Sequence, residues 1–152
     1  MKKLFLIIIL LFPTVACADD KSQIENILTQ AANAKRGDSF SDVKQFTPNL
    51  AADIDKQFTA SAIKDCGPNY KTADGVCGYE FDPAVCGQDF EKPRIAKMDK
   101  TGDAYIVSVY WINTDTGTPG AIYRLVQNNG KFVIDGISCR FDDNQTIKFN
   151  WK

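Results

Sequence analysis

Hydrophobic residues follow a helical period in the first half of this 152-residue chain and an alternating period in the second half. Near the N-terminus four apolar residues recur at helical spacing: Ile24, Ile27, Leu28 and Ala31. Ser22 and Glu25 form a capping-box pattern before them, and Gly37 is a stop signal. The pattern predicts a helix over about 22–36.

A second helix is predicted to begin at Thr47 and Pro48, because proline is well tolerated at the first helical position. Its apolar stripe consists of Leu50, Ile54 and Phe58, with Ala51 and Ala62 beside them. We expect this helix to run to about Lys64. Residues 41–46 are predicted to add one short helical turn between the two helices.

The second half has the period of β-strands. Five strands are predicted, over 94–98, 104–112, 121–127, 131–137 and the C-terminal run that contains Ile147, Phe149 and Trp151. Residues 99–103 are expected to form a turn, and Asn129–Gly130 is a strong hairpin signal. The strand 104–112 is apolar on both faces, which predicts a central strand covered on both sides.

The stretch from Cys66 to Pro93 separates the two halves and has no sustained period. It contains three of the four cysteines that follow residue 18, and the fourth is Cys139. A long irregular connection inside a compact domain is typical of a functional or covalently tied segment. The cysteine spacing does not match the close pairs of zinc sites, so two disulfides are expected, with three connectivities open.

The first 18 residues have the layout of a secretory signal peptide, with Lys2 and Lys3 before an apolar run. We therefore expect a leader over 1–18, a single domain over 19–152 and a periplasmic location. The small residues around Cys17 favour cleavage that releases a soluble chain. Alternatively, residues 14–17 resemble a lipobox, in which Cys17 would carry a lipid anchor, although Thr14 stands where leucine is usual.

Charge and composition exclude several function classes. Removal of residues 1–18 takes away two lysines and no acids, which leaves 16 basic and 19 acidic side chains and a net charge of −3. This balance does not favour binding to nucleic acid or to an anionic membrane surface. The chain has no histidine, which excludes histidine-dependent nucleophiles, bases and metal sites. We expect no cofactor and no metal.

Three segments carry a resemblance to a known family. They are Phe46, Thr47, Pro48, Asn49 and Leu50; then Asp82, Pro83, Cys86, Gln88, Asp89 and Phe90; then 129–137, from Asn129 to Ile137. In this order they resemble exported, largely uncharacterised bacterial proteins of the nuclear transport factor 2-like superfamily, which includes lipoproteins. The resemblance implies an α+β cone, in which N-terminal helices pack on a curved antiparallel sheet.

The implied fold predicts which cysteines pair and which residues are buried. We expect Cys86 to pair with Cys139, because Cys139 follows the last hairpin strand and the family-like loop would lie against it. Cys66 then pairs with Cys77. The residues expected to be buried together between helices and sheet are Ile27, Leu28, Ile54, Phe58, Val107, Val109 and Trp111.

The residues permit carboxylate and tyrosine chemistry. An isomerase-like site in the cone would need an aspartate base and a tyrosine or protonated aspartate in an apolar pocket. The candidates are Asp89, Asp135, Tyr105, Tyr110 and Tyr123. Structural roles explain these residues as well, since tyrosines are common in strands and aspartates cap turns. We assign no catalytic residue.

The cysteine-containing stretch supplies the candidate contact residues Tyr70, Tyr79, Phe81, Asp82 and Asp89. Aromatic side chains are enriched where proteins bind one another. The favoured hypothesis is a non-catalytic periplasmic binding protein, such as an inhibitor or immunity protein against an envelope enzyme. The alternative is a carrier or isomerase-like enzyme for a small apolar molecule in the cone. A filled interior would favour the first.

Overall fold

The structure is a computed structural model that describes residues 14–35, 39–72, 75, 77–88, 90–111, 120–141 and 145–152. Within these residues the long helices are α1 (Thr14–Ala32) and α2 (Pro48–Cys66), and short 3₁₀ turns lie at Phe40–Asp42 and Tyr70–Thr72. The strands are β1 (Arg94–Thr101), β2 (Ala104–Tyr110), β3 (Ala121–Asn128), β4 (Lys131–Arg140) and β5 (Thr146–Phe149). The expected α+β architecture is confirmed.

Helix α1 differs from its prediction at both ends. It begins at Thr14, so Ser22 lies inside the helix and the predicted capping box was wrong. It ends at Ala32, where the backbone N–H and the side-chain amide of Asn33 both donate to the Thr29 carbonyl oxygen. The next N–H, that of Ala34, donates to the Ala31 carbonyl at 3.2 Å, so the regular helical pattern stops here. Gly37, the predicted stop, lies outside the described residues.

Helix α2 begins where the sequence predicts. The Thr47 hydroxyl accepts the N–H of Leu50 at 3.3 Å, and Pro48 occupies the first turn. The helix continues to Cys66, and the N–H of Gly67 closes it by donating to the Ile63 carbonyl at 2.8 Å. This end fixes Cys66 on the last turn, at the start of the cysteine-containing stretch.

The five strands form one antiparallel meander in the order β1-β2-β3-β4-β5. The hairpin at Asn129–Gly130 is confirmed, with positive φ angles at both residues. β1 extends through Thr101, whereas the sequence predicted a turn from 99 onward. Residues 99–101 pair with β2, and the turn is reduced to Gly102 and Asp103. β2 ends at Tyr110, before the predicted 112, and β4 continues past 137 to Arg140.

One face of the sheet packs against both helices. On β2 this face carries Tyr105, Val107 and Val109, which are buried, while Ile106, Ser108 and Tyr110 are only half-buried. The prediction that β2 is covered on both sides was therefore wrong. β2 lies between β1 and β3 in the sheet, and the helices contact other strands: α1 and α2 both pack against β4, and α2 also reaches β5.

The core between helices and sheet contains most of the expected residues. Five of them are buried: Leu28, Ile54, Val107, Val109 and Trp111. Ile27 and Phe58 are only partly buried and pack against the edge of this core. The ring of Phe58 meets Tyr79 and Phe81 of the cysteine-containing stretch at this edge of the core.

Candidate functional site

Two disulfides tie the cysteine-containing stretch to the rest of the fold. Cys66 pairs with Cys77 and Cys86 with Cys139, which is the connectivity expected from the sequence. The first joins residues 11 apart in sequence and the second joins residues 53 apart. The first therefore braces a local loop at the end of α2, and the second fastens the stretch to β4.

The segment 82–87 folds into a small closed turn. The Asp82 carboxylate accepts the N–H of Ala84 at 2.7 Å, and the Asp82 N–H donates to the Gly87 carbonyl at 2.8 Å. Asp82 thus has the turn-capping role that aspartate commonly takes. Cys86 has a positive φ of 55°, which turns the chain toward β4. Asp89, the other candidate carboxylate, lies outside the described residues.

A buried hydrogen-bond chain lies under this turn. The Trp111 indole N–H donates to the Tyr123 hydroxyl at 2.5 Å, and this hydroxyl donates to the Ala84 carbonyl at 2.7 Å. Burial raises the pKa of Tyr123 far above its ordinary value, and the nearby Asp82 charge acts in the same direction. Tyr123 is therefore held neutral and has both partners that it needs.

The other candidate acid and base groups lie in separate places. Asp135, in the middle of β4, forms an ion pair with Arg124 and accepts the Thr47 hydroxyl at 2.8 Å. Tyr105 donates to an Asp20 carboxylate oxygen at 2.5 Å. Tyr110 lies on the outer face of the sheet, with the Arg94 guanidinium 4.7 Å from its ring centroid. The described residues do not bring these groups into one pocket.

Tyr79 and Phe81 belong to an aromatic cluster at the end of α2. Their rings lie 5.2 and 5.8 Å from the ring of Phe58, and Phe81 also contacts Phe141 at 4.9 Å. The full cluster consists of Phe40, Phe58, Tyr79, Phe81, Phe141 and Phe149. Tyr79 and Phe81 are half-buried by these contacts, so they are packing residues in addition to candidate contact residues.

A cleft of about 540 Å³ opens beside this cluster. It is lined by Phe40, Asp55, Phe58, Thr59, Ala62, Tyr70, Lys71 and Cys77. Of these residues, the sequence predicted only Tyr70 as a contact residue. The helical spacing of Asp55, Thr59 and Ala62 places them on one face of α2, and this signal was available in the sequence.

Both walls of the cleft are fixed to α2. On one side, the Asp55 carboxylate accepts the backbone N–H of Phe40 at 2.8 Å and the hydroxyl of Ser39 at 2.5 Å. On the other side, the Gly78 N–H donates to the Asp65 carboxylate at 3.1 Å. A Cβ at Gly78 would lie 2.8 Å from the Ala62 backbone nitrogen, so only glycine allows this close approach.

The described part of the chain contains no cluster of three or more metal-ligating side chains. Within the same residues, neither helix combines the length and the hydrophobicity that a bilayer-spanning segment needs. The two disulfides are consistent with an oxidising compartment.

Comparison with protein-family models, with curated proteins and with solved structures found no match to this chain. The architecture of two N-terminal helices on a five-stranded antiparallel sheet follows from the structure itself. The narrower resemblance to the nuclear transport factor 2-like superfamily stays a prediction.

Proposed function

We propose that this chain is a non-catalytic binding protein of the cell envelope, which contacts another protein through the cleft beside the Cys66–Cys77 disulfide. The observation that carries the proposal is this cleft, whose two walls are fixed to α2 before any partner arrives. A preformed surface loses little conformational entropy on binding. An inhibitor or immunity protein against an envelope enzyme would use such a surface.

The chemistry of the cleft suits a protein contact. The rings of Phe40 and Phe58 and the half-buried Tyr70 supply apolar surface, while Thr59 and Lys71 stand exposed at its rim. An apolar centre with a polar rim is the usual anatomy of a protein interface. We expect a partner to insert an aromatic or aliphatic side chain between α2 and Tyr70.

The contacts of the carboxylates also support a binding role. Asp55 and Asp82 accept backbone N–H groups, and Asp135 is paired with Arg124. No Asp or Glu of the described residues is buried in the core beside Tyr123. A general base of the isomerase type needs a carboxylate in an apolar pocket. Asp55, Asp82 and Asp135 instead have structural partners and lie outside an apolar pocket.

The cellular setting is part of the same proposal. Residues 1–18 are proposed to direct export, with Cys17 either removed with the leader or acylated as a lipid anchor. The fold is proposed to be a member of the nuclear transport factor 2-like superfamily, because helices precede an antiparallel sheet in the expected order. The mass of the mature N-terminus distinguishes release from anchoring.

A small-molecule carrier is the second candidate, favoured by the size of the cleft. Its volume of about 540 Å³ lies within the range of roughly 300–1,000 Å³ that is typical of ligand pockets. The interior between the helices and the sheet is a poorer site, because the side chains of Tyr123, Leu125 and Ile134 are fully buried in the core cluster there. The carrier hypothesis therefore moves from the interior to the cleft.

One pair of variants tests the proposal. Thr59→Trp places an indole in the cleft, whereas Ala60→Trp places one on an exposed neighbour that does not line it. The oxidised protein without residues 1–18 is used to capture partners from envelope extracts, and affinities for the captured protein are then compared. We expect Thr59→Trp to weaken binding by about tenfold or more and Ala60→Trp to leave it unchanged.

Equal binding by both variants would remove the cleft from the contact surface. If a small apolar molecule copurifies instead, and Thr59→Trp displaces it while Ala60→Trp does not, the carrier hypothesis replaces the protein contact.

A further inference from the structure

We propose that Cys66–Cys77 is a site of thiol–disulfide exchange that releases one wall of the cleft, whereas Cys86–Cys139 is a permanent brace. The proposed function explains only why releasing the wall would matter. The exchange itself is argued from the positions of the two disulfides. They differ in the exposure of their sulfur-bearing residues and in the fate of the thiolate that each would release.

The two disulfides differ in access. Cys66 and Cys77 are both half-buried, and Cys77 lines the open cleft. In the second disulfide Cys86 is also half-buried, but Cys139 is 0 % exposed within β4. Exchange requires a thiolate to reach a sulfur atom. A reductant can therefore reach the first disulfide in the folded protein.

The leaving group also disfavours exchange at the second disulfide, Cys86–Cys139. Attack on the half-buried Cys86 would expel Cys139 as a thiolate inside the core, where Ala121 and Ile137 are also fully buried. Desolvation strongly disfavours a charged group in such a place. Attack on Cys139 itself is prevented by its burial. Neither route is open while the sheet is intact.

For the first disulfide we assign Cys66 as the attacked sulfur and Cys77 as the leaving group. Cys66 is the last residue of α2, where the negative end of the helix dipole disfavours a thiolate. Cys77 leaves into the open cleft, where solvent can stabilise its charge. A thiolate with the lower pKa is the better leaving group.

The reductant is a dithiol, and the exchange proceeds in two balanced steps. One thiolate of the dithiol bonds to the Cys66 sulfur, the Cys66–Cys77 bond breaks, and its electron pair leaves on Cys77, which takes a proton from water. The second thiolate then attacks the dithiol sulfur that is bonded to Cys66. Cys66 is released as a thiol, and the dithiol ends as its own disulfide.

Reduction removes the covalent tie of one wall and spares the core. Cys66 and Cys77 lie outside the core cluster, which contains Cys139. With the disulfide formed, the Tyr70 N–H donates to the Gly67 carbonyl at 3.2 Å, and reduction opens the loop to which both residues belong. The rings of Phe40 and Phe58 stay in place on the other wall. Gly78 stays bonded to Asp65, so reduction loosens the side formed by Tyr70 and Lys71 and leaves the rest of the cleft in place.

The test uses the oxidised protein and dithiothreitol as the dithiol probe. Samples are quenched and alkylated over time, and peptide mapping identifies the modified cysteines. We expect Cys66 and Cys77 to be alkylated at least about tenfold faster than Cys86 and Cys139. Equal rates, or earlier reduction of Cys86–Cys139, would overturn the proposal.

Hydrogen exchange on the partly reduced protein tests the structural consequence. Amides of residues 69–72 should lose protection, while amides of β3 and β4 should keep theirs. The double variant Cys66→Ser/Cys77→Ser should reproduce this pattern. Loss of protection throughout the sheet would mean that the first disulfide is a global brace, which also overturns the proposal. Both measurements need no partner, so they remain decisive if cleft binding itself fails.

Discussion

Trp111 and Tyr123 are joined by a buried hydrogen bond of 2.5 Å, in which the indole N–H donates to the phenol oxygen. Trp111 follows β2, Tyr123 lies in β3, and the same phenol donates to Ala84 in the cysteine-containing stretch. One hydroxyl thus connects three segments that are distant in sequence. It holds the turn 82–87 on the sheet in addition to the Cys86–Cys139 bond.

Tyr123→Phe should therefore destabilise the protein although it keeps the ring. The substitution leaves the Trp111 N–H and the Ala84 carbonyl buried without their partner, which costs about 1–3 kcal/mol in the free energy of unfolding. Urea unfolding of the oxidised protein measures this loss in the free energy of unfolding. Tyr70→Phe, at a half-buried position in the cleft, is the control and should change stability by less than about 0.5 kcal/mol.

The same residue makes stability sensitive to alkaline pH. Burial raises the pKa of Tyr123 in the folded state, while in the unfolded state it stays near the ordinary value of about 10. The stabilisation that the neutral Tyr123 hydroxyl gives to the folded state is therefore fully present below about pH 10 and is lost as the pH rises above that value. The stability difference between wild type and Tyr123→Phe should be constant up to about pH 10 and should shrink above it. A difference independent of pH would contradict this.

The aromatic cluster should contribute to stability through Phe58. Its ring contacts Phe40, Tyr79, Phe81 and Phe149. Phe58→Ala should cost about 2–3 kcal/mol, below the usual 3–5 kcal/mol for a buried phenylalanine because the ring is only partly buried. Denaturant titration gives the value. A loss below about 1 kcal/mol would mean that the cluster forms no continuous packing.

The Arg124–Asp135 ion pair should be worth more than a surface pair. Their side chains are 25 % and 14 % exposed, and Asp135 also accepts the Thr47 hydroxyl that caps α2. Asp135→Asn should cost about 1–3 kcal/mol, a range set below that for fully buried pairs. A double-mutant cycle with Arg124→Met isolates the coupling. Strictly additive effects would show that the pair contributes nothing of its own.

The close approach of Gly78 to α2 should be sensitive to a single methyl group. Gly78→Ala forces a Cβ to within 2.8 Å of the Ala62 backbone nitrogen, so the loop must move away from the helix. Gly75 also has a positive φ, but nothing lies within 4 Å of its Cβ position. Gly78→Ala should thus cost at least about 1 kcal/mol more than Gly75→Ala in thermal or urea unfolding. Equal costs would indicate backbone strain alone.

Local patterns were sufficient for the order of the elements and for several boundaries. The Thr47–Pro48 start of α2 and the Asn129–Gly130 hairpin were predicted because each depends on chemistry within a few residues. The start of α1 was not, since a capping box does not act where the preceding residues are already helical. The outer face of β2 was also misjudged. Apolar residues there favour coverage, but the placement of both helices is a tertiary property.

The candidate site was predicted only in part, for the same reason. The disulfide connectivity followed from the proximity of a loop to one strand, which the resemblance supplied. Tyr79 and Phe81 were predicted only as contact residues, and their ring contacts with Phe58 show that they also pack within the fold. The cleft was missed because it forms between α2 and a loop without periodic sequence. Such loops have no repeating pattern that reveals which helix face they contact.

The disulfide connectivity has a consequence for how the protein matures. Among the cysteines after residue 18, each native bond joins neighbours in sequence order, Cys66 with Cys77 and Cys86 with Cys139. A chain that enters an oxidising compartment from its N-terminus presents Cys66 and Cys77 first, and they can close before Cys86 follows. Cys86 then meets no other free thiol until Cys139 arrives. On the proposed export route the native bonds can therefore form without reshuffling, and we expect the yield of native protein not to depend on a disulfide isomerase.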